Sequence, residues 1–221
     1  MRFVNLHGHT FGSVLDAIIR PSEYFSRAKE LGFKAVAITD HGNMSQIYPA
    51  YKESKKTGVK LIPGNEIYFV ESLSDEKSKR RHLVLLASSE KGYQNLCRIT
   101  YEGFKNSTTI MGKEFPRVDA EILKKYSEGL YATSACGGSI IAAHLYAGDK
   151  DGAKRHAEVF RSIFQDRFYI ELQPHSLSRG NFNQKNLNDG LKEIATEMGI
   201  KMVATCDSHY LMPEHEKFHD M

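Results

Sequence analysis

Nine side chains able to hold a metal ion recur along the sequence: His7, His9, Asp16, His41, Glu66, His82, Cys136, Asp207 and His209. His7 and His9 are two residues apart, as are Asp207 and His209, so on an extended chain each pair faces one way. Imidazole, carboxylate and thiolate together suit zinc, and also manganese or iron. Nine donors are too many for one tetrahedral ion. They fit two or three ions sharing a bridging carboxylate, and Glu66 is the expected bridge. Taken singly, each residue has a plainer reading. A lone strand-end histidine is commonly a hydrogen-bonded core or surface residue. Thr39-Asp40-His41-Gly42 could be a turn capped by its aspartate, and Cys136 could be a small buried hydrophobe. The joint pattern carries the argument.

The segments between these residues must position them. Short β-branched runs alternate with amphipathic stretches, which predicts strands at 3–6, 35–38, 61–70, 83–86, 130–133, 168–172 and 201–205. The third should be kinked or interrupted at Pro63-Gly64. Helices are expected over 21–31, 44–57, 90–104, 119–126, 139–147, 150–164 and 183–198. Pro21 fits a first turn, Asp119 an N-cap, and Gly32, Gly58 and Gly199 fit stops. Residues 106–112 read as a loop. The alternation predicts a parallel α/β fold, either a closed or nearly closed barrel or an open doubly wound sheet. No glycine fingerprint follows the first strand, which counts against a dinucleotide fold. In β/α barrels the working groups lie at the carboxyl ends of the strands. Most of the candidates fall there, whereas His82 opens its strand.

The chain of 221 residues suits a single domain over 1–221, and its 41% hydrophobic content supports a real core. A net charge of +3 does not by itself imply nucleic-acid binding. The local run Lys77-Ser78-Lys79-Arg80-Arg81, directly before His82, could hold a nucleic-acid backbone or be a solvated basic loop. Lys79, Arg80, Arg81 and His175 are therefore the candidate substrate contacts. Three cysteines without framework spacing suggest thiols in a reducing, cytoplasmic setting. Cys97 and Cys206 read as core residues, and His144 and His156 as surface residues. No apolar run approaches the roughly 20 residues of a membrane helix, and the start lacks a signal-peptide core. His215-Glu216-Lys217-Phe218-His219 fits the zinc-protease spacing, but it lies at the chain's end without a third ligand and is set aside.

Seven stretches carry a specific resemblance across nearly the whole chain: FVNLHGHTFGSVLD from Phe3, AVAITDHGN from Ala35, IPGNEIY from Ile62, HLVLLA from His82, EGLYATSAC from Glu128, FYIELQPH from Phe168 and VATCDSHY from Val203. In this order they resemble the PHP (polymerase and histidinol phosphatase) family. They are similar in particular to the PHP domain at the N-terminus of the bacterial replicative DNA polymerase III alpha subunit. The resemblance implies a distorted seven-unit (β/α) barrel. It also implies about three divalent ions (zinc, manganese or iron) held by His7, His9, Asp16, His41, Glu66, His82, Cys136, Asp207 and His209. Asp40, His41 and Asp207 are the expected catalytic residues, with Asp40 orienting an imidazole. The implied activity is phosphodiester hydrolysis at a single-stranded DNA 3′ end, a 3′-5′ exonuclease. The implied partners are other polymerase III alpha regions or replisome subunits. The polymerase regions that follow this domain in the family are not in this sequence, so an excised domain or split-gene product without polymerisation is expected. Two alternatives stand: a phosphomonoesterase of the histidinol-phosphatase type, and a metal-stabilised interaction module without catalysis.

Overall fold

Side-chain caps set helix starts. The Asp119 carboxylate accepts from the Ile122 amide at 3.0 Å, the Ser139 hydroxyl from Ala142 at 3.1 Å, and the Asn183 amide oxygen from Asn186 at 3.0 Å. Each satisfies an amide that the first helical turn leaves open. The computed structural model describes residues 3–175, 178–179 and 182–219. In chain order its elements are α1 (Pro21–Glu30), β1 (Ala35–Ile38), α2 (Ile47–Thr57), β2 (Lys60–Phe69), β3 (Arg81–Ala87), α3 (Glu90–Lys105), β4 (Thr108–Ile110), β5 (Lys113–Phe115), α4 (Ala120–Tyr126), β6 (Leu130–Thr133), α5 (Ile140–Tyr146), α6 (Lys150–Phe164), β7 (Phe168–Leu172), β8 (Ser178–Arg179), β9 (Phe182–Asn183), α7 (Gln184–Met198), β10 (Lys201–Ala204) and α8 (Glu216–His219). None of the described helices is long and apolar enough to cross a membrane.

The main sheet has the order β1-β2-β3-β6-β7-β10. It curls, and the segment from Asn5 to His9 crosses between its two edges. Asn5 bridges Val36 on one side and Gly8 bridges Ser208 on the other, both parallel. The Ala37 amide donates to Asn5 O at 2.9 Å, and the His9 amide to Ser208 O at 2.9 Å. The result is a distorted seven-unit (β/α) barrel.

Four expectations need correction. The first segment is not a regular strand but a bridged ribbon, because its neighbours hold it only at alternate points. The sheet is not wholly parallel: β3 runs antiparallel to both β2 and β6. That reversal brings the start of β3, and with it His82, to the rim formed by the carboxyl ends of the other strands. And β2 is continuous through Pro63-Gly64. Its first half pairs with β1, up to Ile38↔Pro63, and its second half with β3, from Gly64↔Leu86. A Cβ on Gly64 would lie 2.9 Å from Leu85 O, so the close approach of β3 requires glycine. Finally, the stretch read as a loop, 106–112, holds β4 and the turn of the β4–β5 hairpin, at Met111 (φ 51) and Gly112 (φ 79).

Strand alternation sorts the side chains. Leu83 and Leu85 face outward into the main core with Leu96, Ile99, Phe160 and Phe168. Val84 and Leu86 face the barrel interior with Ala37 and Ala135. His82 shares their parity, and Glu66 sits opposite Val84 in register. The same pleat that buries the core therefore aims both groups inward. Cys97 and Cys206 are exposed rather than buried; Leu96 and Ile99 take the core side of α3 instead. His144 and His156 are half-buried, their rings stacked at 5.0 Å between α5 and α6.

Candidate metal centre

All nine candidate ligands meet at one end of the barrel. His7, His9 and Glu66 are fully buried. Glu66 lies at the middle. Its Oε1 is 3.3 Å from His7 Nε2, 3.2 Å from His82 Nδ1 and 3.7 Å from Cys136 Sγ. Its Oε2 is 2.7 Å from His41 Nδ1 and 3.5 Å from His9 Nε2. Asp207 Oδ1 lies 3.2 Å from both His7 Nε2 and His9 Nε2, and 3.7 Å from His209 Nδ1. At the outer edge, Asp16 Oδ2 is 2.7 Å from His41 Nε2 and 3.1 Å from His209 Nε2. His82 Nδ1 is 3.3 Å from Cys136 Sγ, and its ring packs on Gly138, where a Cβ would come within 2.8 Å of Nδ1.

These spacings suit shared cations. Two ligands of one tetrahedral ion, each about 2.0–2.3 Å from it, stand roughly 3.3–3.7 Å apart. Three overlapping triads have donor atoms close enough to hold an ion: His9/His41/His209, His7/His9/Glu66 and His41/Glu66/His82. Three buried polar atoms here lack hydrogen-bond partners among the described residues: His41 Nδ1, Glu66 Oε2 and Asp207 Oδ1. The first two stand 2.7 Å apart, yet they do not align as a hydrogen bond. Orphaned buried donors and acceptors are costly, and a cation would satisfy the two oxygens directly. The residues present fit a metal cluster.

A supporting layer was missed in the sequence. Glu171, buried in β7, is 2.7 Å from His7 Nδ1. Glu171 also accepts hydrogen bonds from the Thr133 hydroxyl, from Thr205 Oγ1 at 2.5 Å and from Gln173 Nε2 at 3.0 Å. With Nδ1 engaged there, His7 turns Nε2 to the cluster. Ser13 Oγ is 2.9 Å from His9 Nδ1 and donates to Asp40 Oδ1 at 2.9 Å. Asp40 also accepts from the Thr10 amide and hydroxyl, both at 2.6 Å. Asp40 thus acts on His9 through Ser13. The only signal for Glu171 was a lone carboxylate inside a strand otherwise rich in apolar residues.

Electrostatics follow from burial opposed by proximity. Burial lowers His7, yet Asp207, Glu171 and Glu66 hold it well above its ordinary value. For His41, burial is outweighed by Glu66 and Asp16, which raise it to about 10. In His9 burial wins and lowers it to about 4. Burial raises Glu66, but His82, His7 and His41 pull it well below the usual carboxylate range. Burial also pushes the Cys136 thiol well up, reinforced by Glu66 and Asp207. Without metal the centre is therefore a web of ionised carboxylates and protonated His7 and His41 around a neutral His9. Metal ions compete with those protons.

The backbone is strained where candidate ligands are presented. Leu15 (φ 66) precedes Asp16, Ala135 (φ 57) precedes Cys136, and Asp207 itself has φ 50. Left-handed non-glycine residues cost of order 1–3 kcal/mol each and cluster at functional sites.

The expected substrate contacts divide. Lys79 and Arg81 line a cleft of about 520 Å³ beside α5, with Glu71, Asp75 and His144. Arg80 turns the other way, onto the Phe115 ring. His175 follows β7 with Nε2 3.4 Å from Gln173 Oε1, which ties it to Glu171 through Gln173. His215 lies on a 3₁₀ turn and leads into α8, and the side chain of His219 lies outside the described residues.

Solved structures share the fold. A protein of Bifidobacterium adolescentis, provisionally named a metal-dependent phosphoesterase, superposes with a TM-score of 0.57 at 16% identity, over 96% of this chain and 90% of its own. An amidohydrolase of Chromobacterium violaceum gives 0.52 at 14% identity, over 93% and 87%. In sequence the chain is similar to DNA polymerase III subunit alpha of Borreliella burgdorferi, at 36% identity over 100% of this chain. It is 37% identical to that of Aquifex aeolicus, over 98%. It spans 19% of the length of each. Residues 5–175 match the PHP domain, and the chain belongs to the PHP domain family.

Proposed function

We propose that the centre is a metal-dependent phosphoesterase site that hydrolyses phosphodiesters at single-stranded DNA 3′ ends, as a 3′-5′ exonuclease within a DNA polymerase III alpha-like protein. One observation carries the reading: donors from six separate stretches of chain gather at and around Glu66 at ligand-to-ligand distances, with Glu66 Oε2 and Asp207 Oδ1 orphaned. About three divalent ions, zinc, manganese or iron, would be held by His7, His9, Asp16, His41, Glu66, His82, Cys136, Asp207 and His209. Bound there, such ions supply hydroxide at neutral pH and neutralise charge on phosphoryl oxygens.

The protein's own groups do the rest. Glu171 and Ser13 fix His7 and His9 in one tautomer each, so the buried side of the site is preorganised. Glu66 presents Oε1 to His7, His82 and Cys136 and Oε2 to His41 and His9, and would serve as the bridge. Asp207 and His41 line the reacting end, and Asp40 positions Ser13 behind them. Cys136 is a ligand, not a nucleophile. The similarity to polymerase subunits supports DNA as substrate over a small phosphate monoester, and the other polymerase regions as partners.

The test is digestion of 5′-labelled single-stranded DNA by protein loaded with manganese or zinc, its metal content verified. Stepwise shortening from the 3′ end is expected. Intact DNA alongside bound metal would refute the exonuclease and leave metal-supported folding as the site's role.

A further inference from the structure

The hairpin β4–β5 and the loop before β3 bring a pair of cations, Lys113 and Arg80, together beside the metal centre. The Arg80 guanidinium sits 3.9 Å from the centroid of the Phe115 ring, and Lys113 Nζ lies 5.4 Å from the same centroid. Among the described residues, neither cation forms an ion pair with a carboxylate. Phe115 meets Tyr68 edge-on at 5.7 Å, and Tyr68 stacks on the ligand His41 at 5.9 Å. An unbroken aromatic path therefore links the cations to the cluster. Lys113 Nζ also donates to Val14 O at 3.2 Å, fastening the hairpin to the loop that presents Asp16. A surface cation has no need of such fixing, and exposed lysines ordinarily move freely.

We propose that Arg80 and Lys113, held by Phe115, form a second phosphate subsite that grips the phosphodiester next to the one being cut. This deepens, and rests on, the reading of the centre as a phosphodiesterase acting on a strand. Phe115 holds both charges through cation–π attraction, so less freedom is lost when a phosphate arrives. Arginine suits the planar, two-oxygen grip, and lysine adds a point charge. Lys79 and Arg81 do not share this site, since they line the cleft with Glu71 and Asp75. The subsite selects substrates carrying a neighbouring phosphate, which favours an oligonucleotide over a monoester.

Binding tests this without requiring turnover. Manganese-loaded protein is titrated into a fluorescent, phosphorothioate-linked oligothymidylate, which resists cleavage, over a range of salt. Arg80→Ala/Lys113→Ala should weaken Kd about tenfold and lower the salt slope by roughly 1.4, the counterion share of two phosphate contacts on a single strand. Phe115→Leu, which keeps both charges but removes their support, should give a smaller loss. Lys125→Ala/Lys201→Ala removes two cations that also lie over aromatic rings, at Tyr126 and Tyr169, and should leave Kd unchanged. Wild-type binding by the first double variant would overturn the proposal. So would an equal loss in the second, which would mean that only net charge matters. Failure of the phosphodiesterase reading looks different: ordinary oligothymidylate stays uncut while the contrast in binding persists.

Discussion

The proposed metal centre has two halves built on different principles. The inner half, His7, His9 and Glu66, is wholly buried, and Glu171 and Ser13 hold its imidazoles from behind. The outer half meets solvent: the side chains of Asp16, His82 and His209 are 43%, 24% and 19% exposed. Asp16 lies next to left-handed backbone at Leu15 and His209 two residues from that at Asp207, and the two contact each other, while His82 leans on Cys136. A buried carboxylate among imidazoles is anchored by fold and charge together, whereas an exposed ligand loop can open without unfolding the barrel. The inner half should therefore bind metal tightly and couple it to stability. The outer half should exchange metal and meet substrate.

Glu66→Gln tests the comparison with the largest effect. It removes the charge both halves share, so hydrolysis should fall about 10³-fold and metal content should drop in both halves. Metal analysis with a rate measurement checks this, and retention of a full complement would remove Glu66 from the centre. Glu171→Gln reaches the inner half alone. It should cost about 10–100-fold in metal affinity by freeing the His7 tautomer, measured by competition with a chelator. Asp16→Asn touches only the outer half. A fall in rate of about tenfold is expected, and the melting temperature of the metal-free protein should fall only slightly, through the lost pairings with His41 and His209. A large drop in that temperature would mean that the two halves are not separable.

The pH dependence of the chelated protein gives the smallest effect. His41 is raised to about 10 and His7 is also raised. Their charged forms therefore contribute stability that is fully present below about 6.5 and is lost as pH climbs through the folded values. The melting temperature of chelated protein should fall between pH 7 and pH 10, and that of manganese-loaded protein should fall less, because its ligands are already deprotonated. Parallel curves would contradict the charge web around Glu66.

Much of this was legible because ligand chemistry is local. A His-x-His on extended chain and an Asp-x-His six sheet strands later announce themselves by residue type and by the two-residue repeat of a strand. Helix limits were legible for the same reason: Asp119, Ser139 and Asn183 cap through contacts three residues away. What escaped depends on distant pairing. The antiparallel course of β3 is set by its neighbours β2 and β6, so His82 seemed misplaced until the reversal put it on the rim. Glu171 gains its meaning only from His7, far away in sequence. The β4–β5 hairpin turns on Met111-Gly112, and methionine is not a residue that signals a left-handed turn.

Anomalous diffraction at the manganese edge, from crystals grown with the ion, tests the central claim most directly. The account predicts peaks within coordinating distance of Glu66, with at least one shared by His7 and Asp207 and another by His41 and an outer ligand. A map with no anomalous peak among these residues would contradict it, whatever the purified protein cleaved.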